Sequence, residues 1–157
     1  MLVQDFTEID ARCDVAAAIL VDVADELGVW ARAAYGRGER LALGLAGGRL
    51  AAVVTFDVGQ PAVGLDSVII PVAWTADSET LFPRMEAELV LSPMGGRCHV
   101  EFRGSYQPPL GGFGALLDRV AFHRVAASTV RVFLERLAMA VQAESRVRTN
   151  GEAESQL

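Results

Sequence analysis

Two side chains in this sequence are suited to contacting a ligand or moving a proton, His123 and Tyr106, on either side of the segment "QPPLGGFGALLDR". A histidine can donate to a ligand oxygen or act as an acid or base near neutral pH. A phenol can donate one directed hydrogen bond. Each has a plainer alternative: His123 as a flank histidine bonded to a neighbour or to water, Tyr106 as an anchor for the turn that follows it. Trp74 combines a large ring with a single N–H, which suits the wall of an apolar site. Asp57 and Asp66 flank the "VGQPAVG" loop. Paired carboxylates can do acid–base work, but beside a loop of this composition they are read as turn and strand-end residues. His99 alternates with charged side chains and is placed outside, and Asp118 and Arg119 are read as exposed helix charges.

Metal and nucleophile chemistry have little to stand on. Cys13 and Cys98 are far apart and belong to no Cys-x-x-Cys or Cys/His spacing, so they are read as free cysteines packed as small hydrophobes, with a disulfide or metal pair as the lesser alternative. No nucleophile elbow, phosphate loop or dinucleotide fingerprint occurs. "GGFG" at 111–114 precedes a helix but follows two prolines and lacks the phosphate-loop lysine. No catalytic residue, cofactor or metal site is assigned.

The bulk numbers set the class. The chain has 157 residues, 52% hydrophobic and 22% charged, enough for one domain with a real core. Its net charge is −6, and all 14 basic residues are arginine. No basic cluster forms a nucleic-acid footprint, and no apolar run reaches the ~20 residues of a membrane span. The acidic start "MLVQDFTEID" does not read as a signal peptide, so a cytoplasmic protein is expected.

The elements that must position these residues follow from periodicity. The first ten residues suit an edge strand. "CDVAAAILVDVADELGVWARAAYG" is helical, with Asp14 placed to cap it. Gly28 is expected to break it, and Gly36 and Gly38 to end it, giving two short helices. "RLALGLAGGRLAAVVTFDVG" then reads as a hairpin turning at Gly47-Gly48. "GLDSVIIPVAWT" reads as a strand buried on both faces, with a bulge or unpaired edge at Pro71. "LFPRMEAELVLSPMGGRCHVEFRGSY" reads as a second hairpin turning at "SPMGG". Its Arg84, Glu86 and Glu88 alternate with Met85, Ala87 and Leu89. Arg97, His99, Glu101 and Arg103 likewise alternate with Cys98, Val100 and Phe102, so only one face is apolar. Pro108 and Pro109 end the sheet, and Gly111, Gly112 and Gly114 let the chain turn.

A helix of roughly 30 residues, 112–142, is expected next, about 45 Å long. Phe113, Leu116, Val120, His123, Ala127, Val130, Leu134, Leu137 and Val141 form a stripe that should cover the sheet. A second stripe, Phe122, Ala126, Thr129 and Phe133, lies on the opposite side. The N-terminal helices or a second subunit should bury it, the latter making a homodimer through Phe122 and Phe133. Residues 143–157 are polar and read as a disordered tail.

The order strand, two short helices, antiparallel meander and long helix resembles the helix-grip fold of the START-like (SRPBCC) superfamily. So do the segments "VIIPVAWT", "LFPRMEAELVLSPMGG" and "GSYQPPLGGFGALLDRVAFHRVAASTVRVFLERLA". The resemblance spans residues 1–142, and those segments look like a bacterial branch of mostly uncharacterised members. It implies an α+β domain with about six antiparallel strands curved around the C-terminal helix, and a cavity between the two that holds lipid- or polyketide-like molecules. The expected cavity wall is Val54, Phe56, Trp74, Leu89, Val100, Phe102, Phe113, Leu117 and Val120, with Tyr106 and His123 as polar contacts. These side chains either line a pocket or fill it. Carriage of a small hydrophobic molecule is the leading expectation. The alternatives are a polyketide cyclase, aromatase or dehydratase, and an interaction protein with a filled core.

Overall fold

The computed structural model describes residues 1–43, 54–76, 84–106 and 115–154. The architecture is α+β: an open antiparallel sheet of six strands with helices packed on one face. Along the chain come β1 (Leu2–Ile9), α1 (Cys13–Asp22), α2 (Ala24–Leu43), β2 (Val54–Val58), β3 (Ala62–Val63), β4 (Val68–Ala76), β5 (Met85–Met94), β6 (Arg97–Tyr106) and α3 (Ala115–Glu154). The sheet order is β1-β6-β5-β4-β2, with β3 also on β4. The first strand therefore pairs with the last, as expected of an edge strand in a helix-grip-like fold.

The β5–β6 hairpin turns at Gly95 and Gly96, whose φ values are 57° and 86°. Two successive positive φ angles suit the primed turns that match strand twist, which is why glycine stands at both places. Pro71 interrupts the other edge of β4 as expected. Val58 pairs with Val72 and Ala62 with Ile69, so residues 59–61 face residues 70–71, one residue in excess. That is a bulge, and the Gly59 N–H still donates to the Pro71 carbonyl at 2.7 Å. β4 is not buried on both faces: Ile70, Val72 and Trp74 are buried, whereas Pro71 is exposed and Ile69, Ala73 and Thr75 are half-buried. Its apolar run serves a one-sided sheet.

Four expectations for the helices and cysteines need correction. The helical region breaks at Val23, and α2 runs through Gly28, Gly36 and Gly38 to Leu43, taking the start of the expected hairpin. Packing outweighs the glycine penalty here, since Leu27, Ala31 and Ala34 are all fully buried. The turn expected at Gly47-Gly48 and the hinge at 107–114 lie outside the described residues. Asp14 does not cap α1: the cap position is Arg12, and Asp14 pairs with it at 2.8 Å. The third correction concerns the C-terminus. α3 continues to Glu154, well past the expected tail boundary at 143. Arg148 holds that extension through Glu144, four residues earlier, and through Asp22 at the end of α1.

Finally, Cys13 and Cys98 are not free. They form a disulfide with Cα atoms 4.7 Å apart, within the usual span of such bonds. It ties the start of α1 to β6. No described helix is long and apolar enough to cross a membrane.

Candidate functional site

Sheet register places the candidate side chains. Phe56 of β2 pairs with Trp74 of β4, Trp74 with Met85 of β5, and Met85 with Tyr106 of β6. These four residues make one row across the helix-facing side, because pairing partners share a face. The next rows are Val58–Val72–Ala87–Gly104–Val3 and Ile70–Leu89–Phe102.

α3 lies over these rows with its other stripe forward. Phe133 is fully buried and packs 5.5 Å from Phe56 and 5.8 Å from Trp74, between ring centres. The expectation that Phe133 stands on a separate outer face is therefore corrected. Thr129 and Ala126 continue the same line toward the helix start. Val130, Leu134, Leu137 and Val141 are buried too, since α3 is covered by the sheet on one side and packed by α1 and α2. Val120 and His123, assigned by spacing to the sheet-facing stripe, are exposed.

The middle of the expected cavity is filled. Trp74 lies 5.4 Å from Phe56 and 5.6 Å from Phe102, between ring centres, and Leu89, Val100 and Phe102 are completely buried. Such tilted ring pairs each add about 0.5–1.5 kcal/mol beyond their buried area. These residues form the core. The side chains of Val54, Phe113, Leu117 and Phe122 lie outside the described ones.

Space remains at the Tyr106 end. A cavity of about 30 Å³ lies between Tyr35 of α2, the sheet residues Trp74, Met85 and Tyr106, and Val125, Ala126 and Thr129 of α3. Its surroundings are apolar with hydroxyls at the edge. The Tyr106 oxygen is 3.3 Å from His123 Nδ1, and its O–H is 3.4 Å from Met1 Sδ. The two rings stack with centres 6.5 Å apart. Burial pushes the Tyr106 phenol above its ordinary pKa, so it stays a neutral donor. Thr129 is only 1% exposed, and its Oγ1 has no hydrogen-bond partner among the described residues.

Sequence reasoning brought Trp74, Tyr106 and His123 to this end of the molecule, but it missed Tyr35, Met85, Val125, Ala126 and Thr129 as lining residues. Thr129 carried the available signal, a hydroxyl in the middle of an apolar stripe.

A larger concavity, about 750 Å³, opens on the opposite face of the sheet. Gln4, Pro71, Arg84, Glu88 and Arg103 are among its lining residues. Arg84 pairs with Glu86 there and Arg103 with Glu101. Arg103 first, and then Gln4, hold the Glu101 carboxyl below its ordinary pKa. Both arginines are thus paired on a wet face, so the smaller cavity is the better candidate site despite its size. His99 lies on this outer face as expected, half-covered by Phe6 with ring centres 5.2 Å apart. Asp57 and Asp66 are both exposed. Among the described residues no cluster of three potential metal ligands occurs.

No protein-family model matches the chain, and no curated protein matches it. The crystal structure of TTHA0849 from Thermus thermophilus is similar with a TM-score of 0.43 and 18% identity, over 89% of this chain and 99% of that one. The helix-grip-like architecture therefore rests on the strand order and the position of α3 alone.

Proposed function

We propose that this protein binds a small, mostly apolar molecule in the seam between the Trp74–Met85–Tyr106 row and the first half of α3, as a START-like carrier or sensor. The carrying observation is the partnerless Thr129 hydroxyl, among the described residues, beside a cavity lined with apolar surface. Buried polar groups in folded proteins are nearly always hydrogen-bonded, and a site with a few polar groups among apolar walls is the ordinary form of a small-molecule pocket. The resemblance of residues 1–142 to the START-like superfamily supports the same reading. A volume of about 30 Å³ admits something near the size of one water, so it receives the polar tip of the ligand. The body lies along the seam toward exposed His123, and Met85, unbranched and adaptable, moves to admit it.

Enzymatic readings fare less well. Tyr106 and His123 do meet, but the phenol is held neutral and His123 faces solvent, which leaves no enclosed acid–base pair. Native mass spectrometry of freshly purified protein, followed by organic extraction, tests the proposal. A bound apolar molecule, released unchanged, is expected. Protein that carries nothing and fails to bind the neutral probe N-phenyl-1-naphthylamine would sink it.

A further inference from the structure

Resting on that reading, we infer that the ligand's inner tip is an uncharged oxygen, a carbonyl or a hydroxyl, that hydrogen-bonds Thr129. The described lining holds no arginine and no carboxylate. Its other described members are Tyr35, Trp74, Met85, Tyr106, Val125 and Ala126, aromatic or aliphatic side chains with at most one neutral donor or acceptor group each. The described cation at this end, the Met1 ammonium, is already bonded to the Tyr106 backbone carbonyl at 2.5 Å, and Arg131 of α3 pairs with Asp5 at 3.6 Å. A carboxylate or phosphate at the Thr129 end would lose its hydration with no uncommitted cation among the described lining residues to replace it.

The donor is equally defined. Tyr106 already has His123 Nδ1 and Met1 Sδ within reach. Thr129 Oγ1 has no partner among the described residues, so its O–H is the group left to be satisfied. A carbonyl oxygen accepts from it. A ligand hydroxyl can accept and donate in turn. Thr129 stands four residues after Val125 and three after Ala126, so all three face one spot on the seam. A small side chain at Ala126 leaves room for the incoming atom, and the apolar neighbours strengthen the single hydrogen bond by excluding water.

Three probes of one chain length test this: 2-decanone, 1-decanol and decanoate, titrated at pH 8 into the full chain and followed by calorimetry and amide NMR shifts. The wild type is expected to bind the ketone and the alcohol, and decanoate at least about tenfold more weakly. Thr129→Val keeps the side-chain shape and the β-branch. It should weaken ketone binding by about tenfold, and Thr129→Ser should restore most of it. Equal ketone affinity in Thr129→Val and wild type overturns the inference while leaving an apolar site standing. So does decanoate binding as tight as that of the ketone. If none of the three probes, nor N-phenyl-1-naphthylamine, binds wild type, and Thr129→Val is merely more heat-stable, the hydroxyl serves a buried water only, and the binding proposal falls with it.

Discussion

Reducing the Cys13–Cys98 bond is the perturbation whose effect can best be worked from the fold. The two cysteines are 85 residues apart, so the bond closes more than half of the chain into one loop. In the chain-entropy treatment, such a loop removes about 15 cal/mol/K from the unfolded ensemble, or about 4–5 kcal/mol at 25 °C. A domain of this size is stable by about 5–15 kcal/mol in total. Losing the bond should therefore remove a third or more of its stability. With a urea slope of about 2 kcal/mol/M, the midpoint should fall by about 2 M, and the slope should rise as the unfolded chain expands. The assay is urea unfolding followed by circular dichroism, with and without a thiol reductant, beside the Cys13→Ala/Cys98→Ala double variant. Cys98 is fully buried, so the reduced protein isolates the cross-link better than the variant, which also removes packing. Alkylation of both thiols in denatured, unreduced protein would show that no bond exists. A shift below about 1 kcal/mol would refute the loop argument. Disulfides persist in oxidising compartments, against the cytoplasmic expectation drawn from the N-terminus. The alkylation state of protein trapped in intact cells decides between them.

Three further outcomes test the packing and the site. Gly28→Ala in α2 should stabilise the protein by about 0.5–1 kcal/mol in thermal unfolding, because the added methyl meets Phe56 Cβ at an ordinary 3.7 Å. Gly104→Ala should destabilise it by about 1–3 kcal/mol. Its methyl would lie 2.7 Å from Phe102 Cε1 and 3.2 Å from both Ala87 Cβ and Val3 Cγ1, in a row with no slack, and a neutral result in urea unfolding would contradict that packing. The Tyr106 phenol, raised by burial, should ionise late in an ultraviolet titration, a phase that Tyr106→Phe removes. Below the unfolded value near 10 both states are protonated. Above it the unfolded chain loses the proton first, so stability should fall as pH rises from about 10 through the folded value, and fall less in Tyr106→Phe.

The strands were legible because the chain alternates cleanly. Met85, Ala87 and Leu89 against Glu86 and Glu88 fix which face of β5 is buried, and Gly95-Gly96 fix the turn. The helices were legible in kind but not in extent. Glycines at 28, 36 and 38 looked like stops, yet the burial of Leu27, Ala31 and Ala34 outweighs a local penalty of about 1 kcal/mol each. The polar run after Val141 looked like a tail because few of its residues are apolar. Arg148, reaching both Glu144 and Asp22, joins it to α1, and no pattern within one segment reveals a partner 126 positions away.

The site was less legible for a related reason. Periodicity showed that α3 has two apolar stripes but not which neighbour takes which. Counting residues favoured the longer stripe for the sheet. The Phe56–Tyr106 row instead meets the one carrying Phe133, whose ring packs on Phe56 and Trp74. That choice turns His123 out to the rim and brings Thr129 inward. Which stripe faces the sheet thus decides which hydroxyl meets the cavity. Cross-strand register, not helix periodicity, is what brings Trp74, Met85 and Tyr106 to a single row beneath it.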